Sequence, residues 1–356
     1  MVARLADLAG TFDNSWCLSG LKTSTEFHPP KNERKYLMSI LRRFSILWII
    51  SCSFLLCLSA PGDSADVDEA WKAVDKAIQQ GLPKTAIQHL TPIIADAKKR
   101  QSYAEAVKAV SQKILLQAQI QGNHPEEKID RMQAELADAP PEMVPVMRSV
   151  LAHWMWQYFQ ENRWRFLQRT STGGPPGDNL RNWDLTQILA EIDNQFTMAL
   201  SARQQLAAIP TGNYEPVLVR GTAPVDYRPT LFDILAHDAI DFYASGEHAG
   251  NLAQDAFELL VDSPIFAEPE TFLKWKPNSS DPSSRLVKAL QIFQELMRMH
   301  QKDQDLSAFA DVDLHRLRLG FNHAVGEDKI NRYTSALERF TEQWPKHDIT
   351  ARAIHH

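Results

Sequence analysis

Beyond residue 66 the chain repeats apolar residues at the turn of an α-helix, and short Gly, Pro or polar breaks cut that pattern into pieces. The first stripe is Val67, Ala70, Trp71, Val74 and Ile78; Gly81-Leu82-Pro83 stops it, with Gly at the end and Pro beyond. Ile87, Leu90, Ile94 and Ala97 follow, then Tyr103, Val107, Val110, Ile114 and Ala118, then Ile129, Met132 and Leu136. A helix with one apolar stripe must bury it on a neighbour, so a run of such helices with short joints stacks into a bundle or solenoid. The expected fold is all-α.

The first pair, with Trp71, Gly81 and Ala86, loosely resembles a tetratricopeptide unit. No strict period of about 34 residues runs through the chain, so an irregular α-solenoid or helical-repeat bundle of tetratricopeptide-like pairs is expected, not a regular array. A longer helix is predicted over about 143–166, with Met147, Val150, Leu151, Trp154 and Tyr158 on one side and Pro145 in its first turn. After Gly173-Gly174-Pro175-Pro176-Gly177, the stripe Leu185, Ile188, Ile192, Phe196 and Ala199 marks the next helix, with Asn182 or Asp184 as its cap.

Residues 209–227, with Pro210, Gly212, Pro216, Gly221 and Pro224, lose the helical period, as do 263–284, with Pro264, Pro269, Pro277 and Pro282. Both read as long structured loops or joints. Helical stripes return at Leu231, Ile234, Leu235 and Phe242, at Leu286, Leu290, Phe293 and Met297, at Leu314, Leu317 and Phe321, and at Ile330, Tyr333, Leu337, Phe340 and Trp344. The expected organisation is a helical-repeat domain over 66–208 and a second helical subdomain over 209–356. Thr350 to His356 reads as the opening of a further repeat, which implies a truncated second subdomain.

Composition narrows the function. An apolar share of 44%, with nine Trp and sixteen Phe, supplies a real core, and only fourteen Gly argues against a turn-rich sheet sandwich. The net charge is −6, and no dense Lys/Arg cluster lies beyond the leader, so a phosphate-facing surface is missing and nucleic acid is not an expected partner. Cys17, Cys52 and Cys57 are the only cysteines, so nothing after residue 57 forms a disulfide, a thiolate metal site or a Cys nucleophile.

Met38-Ser39-Ile40-Leu41-Arg42-Arg43 is a basic start, and Phe44 to Leu58 carries no charge. Small residues follow at Ser59, Ala60, Gly62 and Ala65, so 38–65 reads as a signal peptide and the protein as exported, to the periplasm or cell envelope. Residues 1–37 are polar and turn-rich, and they read as a disordered, over-extended leader with translation starting at Met38. Two rivals stay open: an uncleaved anchor over 44–62, the only expected membrane contact, and a lipoprotein site at Cys52. No second apolar stretch of spanning length follows, so the body is expected to be soluble.

Two constellations carry chemistry on paper. Asp233, His237 and Asp241 stand at i, i+4 and i+8, one helix face offering a metal two carboxylates and an imidazole, against the plainer reading of a hydrogen-bonded polar stripe. Arg163, Trp164 and Arg169, with Glu161, Asn162 and Arg165, form a basic aromatic cluster at the end of the long helix, a stacking surface for a ligand or a capped helix end with Trp in the core. No zincin, nucleophile-elbow or phosphate-loop motif is present, so no catalytic residue and no cofactor are expected, and the protein is not expected to be an enzyme.

Several stretches resemble, in order, the N-terminal helical region of the bacterial alpha-2-macroglobulin-like proteins. They are Trp71 through Gly81-Leu82-Pro83-Lys84-Thr85-Ala86; Trp156 and Tyr158 with Asn162-Arg163-Trp164 and Arg169-Thr170; Trp183-Asp184-Leu185; and Arg228-Pro229-Thr230-Leu231 with Asp233 and Leu235-Ala236-His237. The resemblance implies an envelope protein of a family that traps proteases through a bait segment, a reactive thioester and many β-sandwich domains. This chain has no Cys to form the thioester and no run of strands, so the trapping residues have no counterparts here. The expected function is a non-catalytic helical module of such an inhibitor, whose partners are other proteins or downstream macroglobulin-like domains; the alternative is a free-standing envelope scaffold that binds peptides or protein partners.

Overall fold

The computed structural model describes residues 4–5, 63–122, 124–170, 177, 179–219, 224–245, 257–277, 279 and 284–356. The expected signal or anchor segment 44–62, the site at Cys52, and 1–37 apart from Arg4 and Leu5 lie outside them. The chain divides into one unit of residues 1–10 and 69–356 and a second of 11–68.

Helices dominate the described residues. The first four are α1 (Asp63–Gln79), α2 (Pro83–Lys99), α3 (Tyr103–Ile120) and α4 (Pro125–Ala137). Gly81 has φ of +69°, its N–H bonds Ile78 O and the Leu82 N–H bonds Ala77 O, the paired closure that ends a helix on a left-handed residue. Pro83 then opens α2, where its missing N–H costs nothing. The α1 and α3 faces are tied by Trp71, whose indole N–H donates to Glu105 Oε1 at 2.9 Å while Lys108 Nζ lies 4.2 Å from its ring centre.

Where a single helix over 143–166 is expected, two occur: α5 (Val144–Glu161) and α6 (Arg163–Leu167). Asn162 makes the break. Its φ of −112° and ψ of 19° leave the helical region, and its side-chain amide donates at 2.9 Å to Tyr158 O, which also accepts from the Asn162 backbone N–H at 3.1 Å. Next come α7 (Leu185–Leu200) and α8 (Arg203–Ala207). Asp184, not Asn182, caps α7: it accepts from Gln187 N at 2.9 Å, and its own N–H donates to Gln187 Oε1 at 2.9 Å.

Thr211–Val217 and Val225–Tyr227 are 3-10 turns within the expected loop, and β2 (Leu218–Val219) pairs antiparallel with β1 (Arg4–Leu5). Then follow α9 (Leu231–Tyr243), a 3-10 turn at Pro264–Phe266, α10 (Pro269–Lys274), α11 (Arg285–His300), α12 (Ser307–His323), α13 (Lys329–Gln343) and α14 (Ile349–His355). The last buries Ile349 and Ala353 against the body, so the Thr350–His356 stretch includes a packed helix.

The expected join near residue 208 lies inside one core. Helix α9 packs on α5, α7 and α8 before it and on α11 after it. Phe196 and Phe242 meet at 5.4 Å between ring centres, Trp156 meets Phe242 edge-on at 5.5 Å, and Trp154 is fully enclosed. Gly320 marks a close approach between α12 and the Pro264–Phe266 turn, because a Cβ there would stand 2.7 Å from Ile265 Cγ1 and 2.8 Å from Phe266 Cε1. Gly320→Ala is therefore expected to destabilise the body by about 1–3 kcal/mol through overpacking; urea denaturation measures it, and an unchanged midpoint contradicts the packing.

Among the described residues no helix is long and apolar enough to cross a membrane.

Candidate functional site

Helix α9 is buried on almost every side, so its polar residues must find partners inside the protein. Asp233 is fully committed at the helix start. Its Oδ2 accepts from the Thr230 backbone N–H and from Thr230 Oγ1, each at 2.8 Å, and its Oδ1 lies 2.7 Å from His300 Nε2. The other nitrogen of His300, Nδ1, lies 2.6 Å from Asp303 Oδ2. Burial works to lower the His300 pKa, but the hydrogen bonds and charges of the two carboxylates outweigh it and hold it above its ordinary value.

His237, one turn on, is different. It is 3% exposed, and its Nε2 has no hydrogen-bond partner. The residues that meet it come from α12, not from its own face: the His315 ring stands edge-on at 5.3 Å between centres, and one ligand atom each from His237, Asp311 and His315 lie within 4.8 Å of one another. Asp311 and His315 are themselves i and i+4, hence stacked on one face of α12. Asp311 is fully buried; Oδ1 accepts from Arg352 Nη1 at 2.6 Å, while Oδ2 has no hydrogen-bond donor and lies 3.9 Å from His315 Nδ1.

Burial, reinforced by Arg228 and by the neighbouring His315, His300 and Arg318, drives the His237 pKa well below its ordinary value. For His315 burial is again the largest influence; Asp311 opposes it, Arg228, Arg318 and Arg352 assist it, and the result is about 3. Both imidazoles are thus neutral at physiological pH and keep a nitrogen lone pair.

A cavity of about 200 Å³ adjoins this cluster, lined in part by His237, Asp241, His315, Arg318, Asn322 and His323. Arg318 and Asn322 are exposed, so the cavity wall reaches the surface. Of the three residues expected to act together, Asp241 lines the cavity with His237, whereas Asp233 is turned to the helix cap and His300. Asp311 and His315 were missed because they lie far along the chain. The sequence did not single them out, because α12 also carries Asp313, Arg316 and Arg318, so a polar pair one turn apart is not distinctive there.

The second expected cluster divides. Arg165 Nη2 donates to Tyr158 Oη at 2.6 Å and its guanidinium stacks 5.0 Å from the Phe166 ring, while Arg169 Nη1 donates to Trp183 O at 2.8 Å. Arg165 and Arg169 thereby anchor α6 to the body. Trp164, expected in the core under the plainer reading, is instead 76% exposed, and Arg163 beside it is exposed as well. Comparison of the chain with known protein families, with curated proteins and with solved structures finds no match.

Proposed function

We propose that this chain is a non-catalytic helical module of an exported bacterial protein of the alpha-2-macroglobulin-like type, associated with protease inhibition in the envelope. It acts as an irregular helical-repeat platform that contacts other protein around Trp164. The observation that carries this reading is the 76% exposure of Trp164 on a short helix that Arg165 and Arg169 fasten to the core. A large aromatic ring held in water beside an arginine loses little conformational freedom on contact and gains much area, and Trp and Arg are the side chains enriched where interfaces are strongest. The leader read over 38–65 supports a location in the periplasm or cell envelope.

A second reading, a free-standing envelope scaffold that binds peptides or protein partners, is favoured by one fact. Residues 58–356 hold no cysteine, so this segment does not itself supply a thioester. Photo-crosslinking in cells separates the two. A photoreactive residue at 164 is expected to give one discrete adduct with an envelope polypeptide, and the same residue at Ile330, which is 70% exposed, is expected to give none. An adduct bearing macroglobulin-like domains supports the first reading and an unrelated partner the second. Absence of any adduct at 164, or equal labelling from 330, contradicts both.

A further inference from the structure

We propose that His237, Asp311 and His315 form a binding site for a single divalent transition-metal ion of the zinc class, held between α9 and α12. The inference is independent of the contact function, since the cluster lies in the core and involves none of the residues around Trp164.

The first argument is unmet bonding. His237 Nε2 and Asp311 Oδ2 are both enclosed, and neither has a hydrogen-bond partner. Leaving a buried polar atom unpaired costs about 1–3 kcal/mol, more where it carries charge, and two such atoms in one cluster double the cost. One cation between them removes it for both. The second argument is the donor set: two imidazoles and one carboxylate are the ligands a borderline ion such as Zn²⁺ accepts, and all three ligand atoms lie within 4.8 Å of one another. Ligand atoms around a tetrahedral zinc stand roughly 3.4 Å apart, given bonds of about 2.0–2.1 Å, so side-chain rotation without helix movement closes the site.

The third argument is the surroundings. Arg352 holds the other oxygen of Asp311 at 2.6 Å, which leaves Oδ2 toward His315 Nδ1, 3.9 Å away. Such outer contacts orient metal-ligating groups, and a carboxylate ligand commonly keeps one. The adjoining cavity of about 200 Å³ leaves room for a water in the fourth position and, through the exposed Arg318 and Asn322, a route in from solvent. An anion is a poorer fit for the cluster itself: the orphaned Asp311 oxygen is an acceptor and repels it. The guanidinium groups of Arg228, Arg318 and Arg352 lower the affinity for a dication, so binding is expected to be weaker than at a closed structural zinc site.

The test uses the purified protein stripped with chelator, titrated with zinc by calorimetry and with cobalt by visible absorption. One equivalent of zinc is expected to bind and to raise the melting temperature, and cobalt is expected to develop the intense visible bands of low-coordinate nitrogen and oxygen ligation. His237→Gln and Asp311→Asn are each expected to weaken zinc binding by more than about tenfold and to abolish the cobalt bands. The adjacent pair His355 and His356 at the chain end is an obvious adventitious site, so His355→Ala/His356→Ala is the control expected to retain both signals. Circular dichroism establishes that each variant is folded, and His315→Gln substitutes for any that is not. Failure to bind zinc at millimolar concentration, binding that survives in both His237→Gln and Asp311→Asn, or loss of binding in the terminal control overturns the proposal.

Discussion

Asp313→Ala is expected to destabilise the folded body by about 3–5 kcal/mol, among the largest losses open to any single substitution in this chain. Arg316 is 1% exposed and Asp313 2% exposed, and both Nε and Nη2 of the arginine donate to Asp313 Oδ1. Its Nη1 donates to Ile265 O at 2.6 Å and Ala267 O at 3.0 Å, and the guanidinium lies 4.7 Å from the Phe272 ring centre. This one side chain therefore ties the Pro264–Phe266 turn and α10 to α12. Burial pushes the Asp313 carboxyl above its ordinary range even with Arg316 beside it, so the pair only partly offsets the cost of leaving water.

That balance makes the double variant informative. Removing Asp313 alone leaves a buried cation without a counter-charge, whereas Asp313→Leu/Arg316→Met removes both charges and leaves only two carbonyl groups short of a donor. The double variant is expected to be more stable than Asp313→Ala. Urea denaturation of the wild type and these variants measures the coupling, and simple additivity, or a single-variant loss below about 1 kcal/mol, contradicts the account.

His300→Gln is expected to destabilise the protein more at pH 5.5 than at pH 8.5. Both ring nitrogens of His300 face carboxylates, Asp233 on one side and Asp303 on the other, and the folded pKa is raised above the unfolded value. A raised histidine pKa contributes stability that is fully present below the unfolded pKa of about 6.5 and is lost as pH rises through the folded pKa. The difference between wild type and His300→Gln must therefore shrink with increasing pH. Asp233→Ala is expected to act in the same direction with a larger total loss, because it also removes the N3 half of the capping box at the start of α9, in which Asp233 accepts from the Thr230 backbone N–H. Denaturation of all three proteins across this range is the check; a difference that grows with pH means that the imidazolium is not what Asp233 and Asp303 hold.

His237 and His315 act with the opposite sign, because their pKa values are lowered. Their contribution is present above about pH 6.5 and is lost as the pH falls toward the folded value, about 3 for His315. The wild-type profile sums both, so the variant differences are the cleaner observable.

How far the architecture can be read without coordinates is clearest at particular residues. The stripes at Leu185, Ile188, Ile192, Phe196 and Ala199 are the buried face of α7, because a helix lying on a core shows its period directly. The break at Asn162 was hidden, since one Asn in a helical run does not by itself show that its backbone turns out of the helix. The spacing of Asp233, His237 and Asp241 singled out α9, but of the three only His237 clusters with Asp311 and His315. Periodicity reports which residues share a face and is silent on what packs against it, so Asp311 and His315, brought in by α12, were beyond its reach. Trp164 shows the converse: its place in a helical run reads as core, and only the turn at Asn162 carries it outward.

Contact through the face around Trp164 is decided by affinity purification of the Trp164→Ala protein from the cells that make it, beside the wild type. The account predicts that the partner retained by the wild type is lost while the melting temperature is unchanged, because the ring is three-quarters exposed and supports little of the core. Retention of the same partner at the same yield by the alanine variant contradicts it.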